Sequence, residues 1–242
     1  MLTFLRKIRK SLIESGSARK YLLYASGEIA LVVIGILIAL QINIWNQARI
    51  ERHQEELLLK EIHSEFLINK QDLTNTLQHY KRVYEKQESI IKSFPIDEQS
   101  HDLDSLALLL QRSNTVLDAD LSEGTVSALI NSSAFEIISN NELRTLLVQW
   151  KDLVADYQKA EAMAIKFTVE HYYPYMDEHI PANYREGLHD PRVDPSFLSS
   201  VQFENLIKRN RSYIRIMLFV SEGGDGKLLK AIDRIIELTT QN

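Results

Sequence analysis

Apolar side chains fall into two regimes along this chain. From Leu22 to Leu40 they run almost unbroken: the only polar side chains are Tyr24, Ser26 and Glu28, and none occurs from Ile29 to Leu40. At about 1.5 Å per residue, that run makes enough helix to cross a hydrocarbon core of roughly 30 Å. After Trp45 the spacing opens to threes and fours, through Leu58, Ile62, Phe66, Leu73, Leu77, Tyr80, Tyr84 and Ile91, with no Pro or Gly before Pro95. This predicts that the membrane helix continues as a stalk. A helix from Asn46 to Phe94 would measure about 70 Å, too long to stand without other helices packed on it. Asn69, Thr76 and Gln87 lie on or beside its seam, which suits an intramolecular bundle at least as well as a coiled-coil oligomer.

Further helices follow the same logic. Asp102 or Asp104 can cap a short helix ending at Ser113, and a second short helix is expected from about Ser122 to Asn131. A long helix from about Asn141 to Tyr173, with Asn140 and Asn141 as candidate N-caps, carries Leu143, Leu147, Trp150, Val154, Tyr157, Met163 and Phe167 on its apolar face. Residues 174–195 hold four of the chain's five prolines and predict an irregular connection. A helix follows Pro195 through Val220, the Gly-rich stretch "SEGGDGK" breaks or kinks it, and a last amphipathic helix carries Leu228, Leu229, Ile232, Ile235, Ile236 and Leu238. With no βαβ alternation and no hairpin signal, the expected fold is all-α: one N-terminal transmembrane helix continuing into a long stalk packed in an antiparallel helical bundle.

Charge divides the chain the same way. Arg6, Lys7, Arg9, Lys10, Arg19 and Lys20 precede the apolar run with only Glu14 against them, so the N-terminus is expected to stay in the cytoplasm. The expected layout is a cytoplasmic basic amphipathic tail at 1–20, a membrane helix at 21–45 and an extracytoplasmic domain at 46–242. The apolar run is too long for the core of a cleaved signal peptide and lacks a convincing cleavage site after it, so it reads as a signal anchor. The first 45 residues hold six of the 28 Lys/Arg and two of the 33 acids, leaving 22 against 31 and a net charge of −9 beyond them. An acidic domain without a basic patch argues against a nucleic-acid partner. The absence of cysteine forbids disulfides and thiolate metal sites.

The stretch "GEIALVVIGILIALQINIWN" resembles the signature of a family of bacterial single-span membrane proteins of unknown function. The likeness is carried by Gly27, Glu28, Ile29, Gly35, Ala39, Gln41, Ile42, Asn43, Trp45 and Asn46. Ile44 and Gln47 depart from the Asn and Glu of that pattern, and "ALINSSAFEIISNNELRTLL" resembles the family's second helical stretch. The resemblance implies a bacterial plasma-membrane location and a helical exported domain, and it implies no activity.

Candidate chemistry is sparse. At 100° per residue, Glu28, Gly35, Ala39 and Asn46 fall within about 20° of one line on the membrane helix. A Gly-x-x-x-Ala pair admits a close neighbour helix, and a polar group on the same face gives it a hydrogen-bond partner. Packing against a second copy or another envelope membrane protein is therefore one reading of Glu28; snorkelling to the headgroups and ion coupling are the others. Leu2, Leu5, Ile8 and Leu12 oppose Arg6, Lys7, Arg9 and Lys10, the arrangement of a helix lying on anionic lipid, with a docking helix for a cytosolic partner as the alternative. Tyr172, Tyr173, Tyr175 and Tyr184 offer a candidate contact surface or a cover for the bundle end. His171 and His179 lack a ligand spacing, and "EGGDGK" lacks that of a phosphate loop, so neither metal nor cofactor is expected. The function expected from these features is a non-enzymatic, membrane-anchored interaction or scaffold protein. The alternatives are an accessory subunit of an ion-coupled envelope complex or a sensing module.

Overall fold

The computed structural model describes residues 18–96, 102–113, 115–181, 188, 190–222 and 227–240. Among them the fold is all-α, with no strand. Helix α1 spans Ala18–Lys92, 75 residues, and stops ahead of Pro95. It is followed by α2 (Leu103–Arg112), α3 (Gly124–Ile130), α4 (Asn141–Phe167), α5 (Tyr173–His179), α6 (Val201–Ser221) and α7 (Lys227–Thr240), with short 3-10 turns at Ser133–Ile137 and Pro195–Ser199. The chain divides into two compact units, Met1–Glu55 and Glu56–Asn242.

Caps set the boundaries of the shorter helices. The side chain of Asp102 accepts from the Asp104 N–H at 3.1 Å and starts α2, while Asn140 accepts from Leu143 at 3.0 Å and starts α4. Ser200 accepts from Phe203 at 3.1 Å and separates α6 from the 3-10 turn before it, whose own cap is Asp194. Each oxygen satisfies an N–H that the first helical turn leaves open. Substituting such a cap by Ala typically costs about 1 kcal/mol.

In the second unit, cross-helix pairs fix the direction of each helix. Glu88 pairs with Arg211, and Lys81 with Glu222 at 2.5 Å, so α6 descends as α1 ascends. Lys70 meets Asp233 at 2.7 Å and His63 meets Thr239 at 3.0 Å, so α7 is antiparallel to α1 as well. Helix α4 instead runs parallel to α1: Phe66 packs on Trp150 with ring centroids 4.7 Å apart, and Gln87 connects through Asn210 to Thr168, just past the end of α4. A parallel neighbour needs a return connection. Here that return is the segment from Thr115 to Glu123, which runs back along α1 without regular structure. The expected antiparallel packing thus holds for α6 and α7 against α1 and not for α4.

Counting in threes and fours along α1 from Leu59 gives Ile62, Phe66, Asn69, Leu73, Thr76, Tyr80, Val83, Gln87 and Ile90, all of them buried. The same count along α4 from Leu143 lands on Leu147, Trp150, Val154, Tyr157, Glu161 and Ala164. Two apolar clusters result. The larger one joins the α1 seam to α3, α4, the second half of α6 and α7. The other gathers Ile90, Leu106, Tyr172, Tyr175, Met176 and Phe203 around α2, α5 and the start of α6.

Residues 174–179 depart from the expected irregular connection. Pro174 cannot donate an N–H and would crowd the carbonyl four residues back in a continuous α-helix. The chain widens into a π-turn at Thr168–Tyr172, where the Tyr173 N–H reaches the Thr168 carbonyl, and α5 restarts with the proline in its first turn. Proline is tolerated there because that N–H needs no helical acceptor. At the other glycine-rich stretch, α6 ends at Ser221 and α7 begins at Lys227; residues 223–226 lie outside the described residues.

Candidate functional site

Three groups of residues are candidates, beginning with the apolar part of α1. Leu22 to Trp45 present large apolar side chains that are 47–74% exposed, among them Leu31 at 74% and Trp45 at 63%. This is the one helix among the described residues that is long and apolar enough to cross a membrane. Within it, Glu28 is half-buried in a notch lined by Leu23, Tyr24, Gly27 and Leu31, while Gly35, Ala39 and Asn46 are exposed. A Cβ added at Gly35 would meet nothing within 4 Å, so no contact among the described residues requires the glycine. Arg6, Lys7, Arg9 and Lys10 lie outside the described residues.

The tyrosines form the second group, and here the expectation of a contact surface is corrected for Tyr172 and Tyr175. Tyr172 and Tyr175 are only 2% and 7% exposed. The Tyr175 ring stacks on His179 at 4.4 Å and packs among Phe197 and Phe203, and its hydroxyl lies 3.2 Å from the Ser200 hydroxyl that caps α6. The segment is helical, which turns positions 172, 175 and 176 into the second core instead of toward a partner. Tyr173 is half-buried beside them, and Tyr184 lies outside the described residues. His171 packs on Phe167, whereas the His179 ring accompanies Tyr175, so the two histidines serve different surroundings. Among the described residues no group of three His, Asp or Glu side chains is placed to hold a metal ion.

The third group escapes the sequence reading: a buried carboxylate under the return segment. His79 meets the Thr115 carbonyl at 2.7 Å, the Leu117 N–H donates to the Tyr80 hydroxyl at 3.2 Å, and the Ala119 N–H donates to Glu161 Oε1 at 3.0 Å. Asn69 brackets Ser122, accepting from its N–H at 2.8 Å and donating to its carbonyl at 3.0 Å, and Glu65 accepts from the Thr125 N–H at 3.2 Å. The alternation of 115, 117 and 119 is that of an extended chain. Side chains of two helices here take the place of a neighbouring strand, so backbone groups that would be orphaned on a dry surface are satisfied.

Glu161 is 5% exposed, and Tyr157 also donates to its Oε1, at 2.6 Å. Burial raises the Glu161 pKa; the Tyr157 and Ala119 hydrogen bonds oppose that, and Asp118 adds to it. The Tyr80 phenol is pushed up to about 12, mainly by burial, and the Tyr157 phenol is raised by burial and by its bond to Glu161. An acid whose pKa is higher folded than unfolded binds more protons in the native state between the two values. Its contribution to stability is therefore complete below its ordinary value near 4.5 and declines as pH rises through the native value. Glu161→Gln keeps an oxygen acceptor and removes the charge, so the variant is expected to melt no lower than wild type at pH 7 and to lose that pH dependence. Glu161→Leu leaves two buried donors orphaned, at roughly 1–3 kcal/mol each. Thermal melts of the two variants from pH 4 to 8 test this; equal melting temperatures at pH 7 would contradict the clamp.

A relay of amides and hydroxyls ties the remaining helices. Gln87 donates to the Asn210 carbonyl oxygen at 2.9 Å and to the Ser113 backbone at 3.2 Å; Asn210 donates to the Thr168 hydroxyl at 2.9 Å, which donates onward to the Ala164 carbonyl at 3.0 Å. All three side chains are buried. The chain thus offers an exposed apolar helix, a clamped return segment and a polar seam that is bonded internally. No family model, curated protein or solved structure matches it, and the likeness of the membrane segment rests on the residues quoted for it.

Proposed function

We propose that the chain is a membrane-anchored interaction or scaffold protein, held in a bacterial plasma membrane by the first part of α1 with its N-terminus cytoplasmic. Its acidic helical domain would lie on the outer side. The observation that carries the reading is the exposure of the apolar side chains from Leu22 to Trp45. At about 25 cal/mol per Å² of apolar surface, such a helix is strongly disfavoured in water, and lipid is the solvent that matches its length and composition. Other envelope membrane proteins or a second copy are the partners that suit the face of Glu28, Gly35 and Ala39, because among the described residues nothing lies within 4 Å of a Cβ placed at Gly35. The return segment, the amide relay and the two apolar clusters support a structural domain with no catalytic role.

The test is the native mass of the full-length protein in lipid nanodiscs. A mass above the 28.0 kDa of one chain, as a multiple of it or with a stoichiometric membrane partner, is expected. Gly35→Leu should return it to one chain, since the larger side chain is harmless to a lone helix and blocks close approach. Wild type at one-chain mass without a partner would remove the scaffold reading. Orientation is read separately. The chain has no cysteine, so Gln71→Cys introduces a single exposed thiol, and an impermeant maleimide should label it in cells whose inner membrane is intact.

A further inference from the structure

Between the end of α4 and the start of α6 lies a groove of about 260 Å³, lined by Phe167, His171, Gln202, Asn205, Leu206 and Arg209. Its floor and rim differ in chemistry. Phe167 and Leu206 are buried and form the floor, whereas His171, Gln202, Asn205 and Arg209 are exposed around it. Gln202, Asn205, Leu206 and Arg209 follow one another at helical spacing along a single face of α6. The opposite wall is the π-turn, whose His171 packs on Phe167 with ring centroids 5.1 Å apart. Single π-turns inserted in α-helices recur at functional sites.

Charge narrows what the groove would take. On α6, Lys208 is paired with Glu204 and Arg211 with Glu88. Arg209, between them, makes no ion pair or hydrogen bond among the described residues, although the domain carries net charge −9 and has acids to spare. A guanidinium offers five N–H donors in a planar fork that matches a carboxylate, and a neutral imidazole still offers one N–H. Thr168 and Asn210, the chain neighbours of Phe167 and Arg209, are bonded to each other at 2.9 Å and Asn210 to Gln87, which ties one wall to the other. Such preorganisation lowers the entropic cost of binding.

We propose that this groove binds a small organic carboxylate with a short apolar body, the carboxylate held by Arg209 with His171 and the α6 amides, and the apolar body on Phe167 and Leu206. The volume is just below that of drug-sized pockets, which limits the ligand to a small molecule. The inference concerns the bundle alone and stands apart from the membrane reading.

The experiment uses the full-length protein in zwitterionic-lipid nanodiscs, titrated calorimetrically with benzoate, with the neutral isostere benzamide and with inorganic phosphate. Saturable benzoate binding is expected, weaker by about tenfold or more for benzamide and for phosphate, and weakened about tenfold by Arg209→Gln. Arg209 is exposed, so Arg209→Gln should leave the melting temperature unchanged and keep a folding defect distinguishable from a binding one. Benzamide binding as tightly as benzoate, phosphate binding without benzoate, unchanged benzoate affinity in Arg209→Gln, or no saturation by 10 mM benzoate, roughly the range of a 1 mM ligand, would each overturn the proposal.

Discussion

Arginines placed at both Ile34 and Leu37 are expected to remove the full-length protein from the carbonate-resistant membrane fraction. Ile34 and Leu37 sit mid-way along the apolar run and are 55% and 56% exposed, so neither supports a contact within the chain. An arginine at the centre of a membrane helix costs about 2.5–3.5 kcal/mol on insertion scales, while each Leu, Ile or Val contributes only about −0.3 to −0.6. Two arginines therefore outweigh what the Leu, Ile and Val side chains from Ile29 to Leu40 supply, and insertion should fail. Val201→Arg is the matched control: Val201 is 72% exposed and lies in the second unit, so the same charge there should leave fractionation unchanged. Carbonate-resistant pelleting of the double variant at wild-type levels would mean that lipid is not what covers this helix.

Particular residues show how much was legible in advance. Asn69, Thr76 and Gln87 interrupt an apolar seam, a pattern that by itself suits a bundle at least as well as a coiled-coil oligomer; all three are buried within the chain. The caps were legible as well, since an Asn or Asp before an apolar periodic run has a defined acceptor role: Asn140 and Asp102 fill it. Hydropathy puts Met163 on the α4 apolar face, yet it is 46% exposed and Glu161 is buried in its stead. Strict three-four counting from Leu143 selects Glu161, so hydropathy misled where spacing did not. The return segment carries a short signal of its own: Leu117, Ala119 and Leu121 alternate with Asp118 and Asp120, the period of an extended chain. Its acceptors on α1 and α4 could not be found this way, because Glu161 and Ala119 are 42 positions apart and no local pattern links them. The α4–α6 groove was equally hidden, since its walls belong to segments on either side of the proline-rich stretch.

Trp150→Ala is expected to be the most destabilising single substitution in the bundle. Trp150 is fully buried, its ring packs on Phe66 at 4.7 Å, and its indole N–H points to the Ser122 carbonyl at 3.4 Å. Truncating a buried Trp costs about 3–5 kcal/mol through lost transfer energy and the cavity left behind. For a chain of this size that corresponds to a drop of roughly 10 °C in Tm. Asn69→Ala should cost less, about 1–3 kcal/mol, because it orphans the Ser122 N–H while the Trp150 N–H still reaches the Ser122 carbonyl. The two side chains share the Ser122 carbonyl, so either loss already loosens the return segment at that point. The double variant should accordingly fall short of the sum by about 0.5 kcal/mol or more, as coupled neighbours do. Melts of the two single variants and the double one in nanodiscs measure this. Strict additivity would separate Trp150 from the segment and reduce its role to filling volume, whereas coupling makes Asn69, Trp150 and Ser122 one unit. That unit explains a polar residue on the seam of a long helix: the Asn69 amide is committed to its own chain and is not available to select a second copy by the register pairing that buried asparagines provide in coiled coils. Any self-association must then come from outside the second unit's seam, which returns the question to the exposed apolar part of α1.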